Sequence, residues 1–232
     1  MPSVDTYLSD QEKTWRDIDE DAIDRAEIDH YLAVMDTKPK LFTGEDFLAN
    51  EFVNPPYLIE PFFPAGGIGI IHGKGGLGKT FLAMTIMRAI CLGEPLFGIY
   101  PTTQGRVTYI QIDMTARIFQ ERLLAGGDFY KFEGWNVVVG TPNLMTANRT
   151  TPWVQQVHSQ RPDLIIIDTL RKAHDMDENV AETPGKFYTK MRELFGATAI
   201  LPLHHDKKSG DGDPDLAFRG NGAWLFDADV GM

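Results

Sequence analysis

Eight consecutive residues, Gly73-Lys74-Gly75-Gly76-Leu77-Gly78-Lys79-Thr80, carry the strongest chemical signal in the chain. They satisfy the spacing G-x-x-x-x-G-K-[ST] in full. Glycines here let the backbone curl until several N–H groups converge on one phosphate. A helix opening at the end of the loop adds the positive end of its dipole. Lys79 is then placed to bridge β- and γ-phosphates, and Thr80 to hold Mg²⁺ through its hydroxyl. Phe81 follows directly and is counted with the nucleotide-binding stretch. A second signal is Asp163-Leu164-Ile165-Ile166-Ile167-Asp168. Four apolar residues closed by an acid read as a buried strand with Asp168 at its C-terminal edge, where open α/β sheets bind ligands. Asp168 is expected to order the Mg²⁺ shell, through water. Many strands end in Asp, so its weight comes from lying downstream of a complete phosphate loop. The plain alternative is an Asp that caps the next helix. A third acid, Asp113, closes the run Val107 to Ile112. On its own residues it could equally cap the following helix through Thr115 and Ala116.

These residues need a scaffold, and the sequence alternates in a way that supplies one. Ile68 to Ile71, Val107 to Ile112, Val137 to Val139, Leu164 to Ile167 and Ala199 to Leu203 read as strands. Thr80 to Leu92, Ala116 to Leu124, Pro152 to Gln160 and Phe187 to Phe195 read as helices, the first closed by Gly93 as a C-cap. Strands alternating with helices predict an α/β fold of three layers, a mainly parallel sheet with helices on both faces. Pro202 is awkward inside a central strand, because it cannot donate to the ladder. Ala223 to Phe226 reads as the start of one more strand. Phe81, Leu82, Ile86 and Ile90 share the helix face expected to enter the core. Cys91 is read as a small buried apolar residue. Trp135 and Trp153 are read as packing, with stacking on single-stranded DNA as the alternative. Residues 40–64, with Pro55, Pro56, Pro61 and Pro64 among aromatics, read as a packed connector without a regular element.

Composition bounds the rest. The 232 residues are 43% hydrophobic and 24% charged, ordinary for a globular chain. One cysteine excludes an intramolecular disulfide and a cysteine zinc site within the chain, and fits a cytoplasmic setting. No secretory leader pattern and no apolar run of membrane-spanning length is visible. The net charge of −11 is uneven: residues 1–60 hold 15 acids and 5 bases, and residues 61–232 hold 18 and 17. A broadly basic nucleic-acid footprint is therefore absent. Residues 1–40 read as an acidic helical extension. Ser9 and Glu12 have capping-box spacing, apolar residues recur at three- and four-residue steps, and Thr37-Lys38-Pro39 ends the pattern. Its apolar stripe packs either on its own domain or on a neighbouring subunit. Residues 41–232 form the second region.

The phosphate loop, VTYIQIDM, DLIIIDTL, Asp177-Glu178-Asn179, HHDKKSG and FRGNGAW occur in this order. Together they resemble RecA-like ATPases of the RepA type, the hexameric replicative helicase branch related to DnaB- and KaiC-like proteins, over roughly residues 41–230. The resemblance implies ATP and Mg²⁺ as cofactors, a homo-oligomer that is a ring, expected to be hexameric, and single-stranded DNA as a partner. It implies that Asp113 is the water-activating base, where such proteins carry glutamate. The shorter side chain puts its reach in question, since a misplacement of about 1 Å can cost on the order of 10²-fold. One of His204 and His205, with His205 favoured, is implied to sense the γ-phosphate. Lys208 and Arg219 are implied to reach a neighbouring subunit's ATP, and the loop Ser209 to Asp215 to line a pore. A solvated basic loop is the other reading of these last residues. Proteins of this type continue past Ala223 to Val230 with further strands, so the C-terminal strands are expected to be short or missing. The function so implied is hydrolysis at a subunit interface that drives a helicase or translocase. An ATP-gated regulatory module with little turnover is the alternative. No residue pattern separates ATP from GTP.

Overall fold

The computed structural model describes residues 41–50, 56–205, 224 and 228–231. The expected acidic helices of residues 1–40, the Ser209–Asp215 loop, Lys207, Lys208 and Arg219 lie outside the described residues.

The chain builds α1 (Gly44–Ala49), the antiparallel pair β1 (Tyr57–Ile59) and β2 (Phe63–Pro64), then β3 (Gly69–Gly73) and α2 (Lys79–Leu92). There follow β4 (Val107–Gln111), α3 (Ala116–Ala125), β5 (Trp135–Val139), α4 (Pro152–Gln160) and β6 (Leu164–Asp168). The last elements are α5 (Leu170–Ala173), α6 (Thr183–Phe195), β7 (Ala199–His205) and β8 (Val230–Gly231). The central sheet has six strands in the order β5-β4-β6-β7-β3-β8, and every pairing in it is parallel.

Helical crossovers bury both faces of such a sheet, and the strands show it. Side chains alternate across a strand. In β6, Leu164 and Ile166 enter one apolar cluster with Met84, Met87, Ile90 and Phe119 of α2 and α3. Ile165 and Ile167 enter the other, with Val154 and Val157 of α4 and Phe187, Met191 and Leu194 of α6. The predicted three-layer α/β fold around a mainly parallel sheet is therefore the observed one.

Some expectations are corrected. The connector is not irregular: α1 starts at the Thr43 cap, whose side chain accepts from Asp46 N–H, and β1 pairs with β2. Leu58, Ile59 and Phe63 are fully buried there, which is why prolines did not keep the segment irregular. Phe81 is 52% exposed and is no core residue, whereas Ile86 and Ile90 are buried. Trp224 is helical rather than extended, and it is fully buried against Phe187, Tyr188 and His174. The last strand is instead β8, tied to β3 by Asp229, which bonds Ile68 through its main-chain N–H and its carboxylate.

Pro202 does sit in a central strand. Ile200 N–H donates to Gly67 O on the β3 side, so Pro202, two residues on, turns its donor-less nitrogen to the same side. The pairing between β3 and β7 is accordingly broken there: an isolated Ile68–Ile200 bridge, then resumption at Ile71–Leu203. Cys91 is buried, and burial pushes its thiol up to about 12. Trp135 and Trp153 pack against Phe132 and Phe195.

Candidate functional site

The C-terminal ends of β3, β4, β6 and β7 lie side by side, and the residues singled out from the sequence converge there. The register pairs Gly73 with His205 and Gln111 with Asp168. The phosphate loop runs from the end of β3 into α2. Gly76 and Gly78 have φ of 85° and 86°, conformations that favour glycine, and a Cβ at either would meet no atom within 4 Å. The loop is thus an open cradle whose curl needs glycine. Lys79 is folded onto the loop, its Nζ donating to Gly73 O at 2.6 Å and to Lys74 O at 2.9 Å. Lys74, Gly75 and Leu77 are exposed around it.

Thr80 Oγ1 donates to Asp168 Oδ2 at 2.9 Å, and the buried Tyr109 hydroxyl donates to the same oxygen at 2.8 Å. Burial raises the Asp168 carboxyl above its ordinary range, the bonds from Tyr109 and Thr80 work against that rise, and His205 also lowers it. Tyr109 itself is pushed well up, by burial first and then by the Asp168 charge. Asp168 and its two donors are therefore one packed unit at the mouth of the loop. The peptide bond from Asp168 to Thr169 is cis, and Thr169 Oγ1 donates to Leu203 O at 2.7 Å, which ties β6 to β7.

Asp113 stands at the end of β4. Its N–H reaches Asp168 O at 3.0 Å and Gln111 Oε1 at 2.8 Å. It is not the helix cap: Thr115 caps α3, accepting from Ile118 N–H. The Asp113 carboxylate lies 3.1 Å from Lys172 Nζ. The two histidines are divided by strand alternation. His204 is fully buried, its Nδ1 4.0 Å from Glu178 Oε1, and Glu178 in turn lies 3.7 Å from Arg171. His205 is half-buried on the face of Asp168, so it, not His204, adjoins the loop. Arg117 pairs with Glu121, and Arg122 lies over the Phe81 ring.

Tyr109, Gln111 and Lys172 join the site without having been expected there from the sequence. Gln111 is a buried amide at the end of a wholly buried strand, and its polarity was the available signal. Its Nε2 has no partner among the described residues. Tyr109 follows from alternation, since it shares a face with Gln111 and Asp168. Lys172 has no signal beyond lying shortly after Asp168.

A family described as an AAA domain (AAA_25) matches residues 36–211, well over half of the chain. The chain belongs to this family. It is thus an AAA-domain protein of the P-loop ATPase class. Among similar solved structures is a KaiC-like protein of the hyperthermophilic archaeon Pyrococcus horikoshii, 17% identical, with a TM-score of 0.48, covering 75% of this chain and 74% of that one. Among the described residues no helix of this AAA domain is long and apolar enough to cross a membrane. Nor do three or more His, Cys, Asp or Glu cluster there as a metal cage. The donors present do fit Mg²⁺, which takes one or two protein oxygens and completes its shell with phosphate and water. Thr80 Oγ1 and Asp168 Oδ2 are hard oxygens already side by side, and the spare Gln111 Nε2 is a donor for an oxygen of such a shell.

Proposed function

We propose that this AAA domain hydrolyses Mg²⁺-ATP at a subunit interface and drives a RepA/DnaB-type helicase or translocase acting on single-stranded DNA. The observation that carries the reading is the single Thr80–Asp168–Tyr109 unit at the loop mouth with Asp113 bonded to the same strand end. The loop N–H groups and Lys79 bind the β- and γ-phosphates. Lys79 has only to swing from Gly73 O and Lys74 O onto phosphate oxygens, which replace two carbonyl acceptors with charged ones. Thr80 and Asp168 hold Mg²⁺, which supplies charge neutralisation on the phosphates when bound. Asp113 takes a proton from the attacking water. The water oxygen bonds to the γ-phosphorus as its bond to the β–γ bridging oxygen breaks, leaving ADP and phosphate. His205, beside Gly73, senses the γ-phosphate, and Arg219 of a neighbouring copy in a ring, expected to be a hexamer, completes the site.

One feature favours a second reading, an ATP-gated module with little turnover: aspartate, shorter by a methylene, where the helicase-type pattern has glutamate. Steady-state hydrolysis over a protein concentration series, with and without single-stranded DNA, separates the two. Turnover per subunit that rises with both supports the motor. ATP binding without turnover under any condition supports the module. Lys79→Ala is expected to lower ATP affinity at least 100-fold, measured by titration calorimetry. Unchanged affinity would remove the loop assignment on which both readings stand.

A further inference from the structure

We propose that Lys172 is a positioning residue for Asp113, which rests on the reading of Asp113 as the base. Asp113 is held at its backbone on both sides. Its N–H bonds Asp168 O and Gln111 Oε1, and Gln111 Oε1 also accepts from Met114 N–H at 3.1 Å. Gln111 is fully buried, so this anchor is fixed. Ile112 N–H donates to Asp168 O at 2.6 Å, which welds the end of β4 to the end of β6. What remains free is the two torsions of the Asp113 side chain.

Lys172 takes up that freedom. Its Nζ donates to the Asp113 main-chain O at 2.9 Å and lies 3.1 Å from Oδ1 of the same residue. One ammonium bridging a residue's carbonyl and its carboxylate closes a small ring, which removes the χ1 well that would turn the carboxylate away from its own carbonyl. Both side chains are half exposed, at 50% and 37%, so the pair contributes little to fold stability. Its effect is on where the carboxylate points. It also offsets a negative charge that a γ-phosphate must approach. A shorter base leaves less slack, so a device that fixes its direction matters more here than it would for glutamate. Lys172 sits on α5, directly after β6, so one short segment carries both Asp168 and the group that aims Asp113.

The experiment is a double-mutant cycle on the full chain, read by ATP turnover, ATP affinity from calorimetry and melting temperature. Lys172→Ala is expected to lower kcat about 10- to 100-fold, with the Kd for ATP unchanged within about twofold and melting unaltered. Lys172→Arg is expected to recover most of the loss. In an Asp113→Asn background, Lys172→Ala is expected to change nothing further. Losses that multiply in the double variant would overturn the proposal, because Lys172 would then act on its own, as would a kcat loss matched by a fall in melting temperature. If Asp113→Asn lowers turnover to a residual but measurable rate while Lys172→Ala leaves it unchanged, the positioning role alone fails. If Asp113→Asn retains turnover, or the wild-type chain has none, the base reading fails and the positioning role with it.

Discussion

Asp168 pulls in two directions. A buried carboxylate with a raised pKa costs the empty fold stability when ionised, yet the ionised form is what a divalent cation needs. Its folded pKa lies above the ordinary 3.8 because burial outweighs the bonds from Tyr109 and Thr80. The stability linked to its proton is therefore fully present below the ordinary aspartate value and is lost as pH rises through the raised folded value. The proposed Mg²⁺-dependent nucleotide binding is expected to have the opposite sign, weakening as pH falls through that same raised value. Asp168→Asn, which keeps an acceptor for Tyr109 and Thr80, is expected to raise the melting temperature of the nucleotide-free protein at neutral pH. It is also expected to abolish the extra stabilisation that Mg²⁺ adds to ATP. Thermal melts with ATP, with and without Mg²⁺, from below the ordinary aspartate value up to neutral pH check both signs. At this scale the phosphate loop, Asp168 and Asp113 were legible, because a glycine pattern and an acid at a strand end are local in sequence. Tyr109, Gln111 and Lys172 were not, because their partners are set by the register of β4 on β6 and by a short helix that periodicity cannot resolve.

Among the elements, α6 shows how a helix surface can serve a distant strand. Arg192, in its last turn, donates to Gly66 O just before β3 and to Gly196 O and Thr198 O just before β7. Burial lowers its pKa, with Asp229 opposing, and β8 begins beside that same Asp229. One guanidinium thus holds the entry to the two strands that end at Gly73 and His205. Arg192→Ala is expected to destabilise the fold by about 2–3 kcal/mol, since it strands carbonyls in a poorly solvated place. Urea unfolding should show a lower midpoint at an unchanged m-value. Element types were read well from periodicity, and most boundaries moved by only a few residues. The strand Ala199–His205 was readable despite Pro202, because a proline whose nitrogen faces a gap in the ladder removes one bond and no more. The connector and the segment around Trp224 were misread because their order comes from what they pack on, and a single chain window does not carry that information.

The proposed supply of Arg219 in trans predicts that turnover per subunit rises with protein concentration and then saturates. Arg219→Ala mixed with Lys79→Ala should recover activity that neither has alone, because a mixed interface pairs an intact loop with an intact arginine. Hydrolysis assays on the mixtures, beside sizing by ultracentrifugation, test this directly. The strand order has a consequence of another kind, for synthesis. The strand that leads into the phosphate loop is made well before its neighbours in the sheet, Ala199–His205 and Val230–Gly231. As the chain leaves the ribosome, Val107–Gln111 can find Trp135–Val139 and then Leu164–Asp168 while Gly69–Gly73 has no strand beside it. The loop is then a flexible stretch on an unflanked apolar segment, a state open to aggregation and unable to grip a nucleotide. ATP in the cell can reward only a chain in which these strands have paired. It should slow unfolding while leaving the rate of folding where it was.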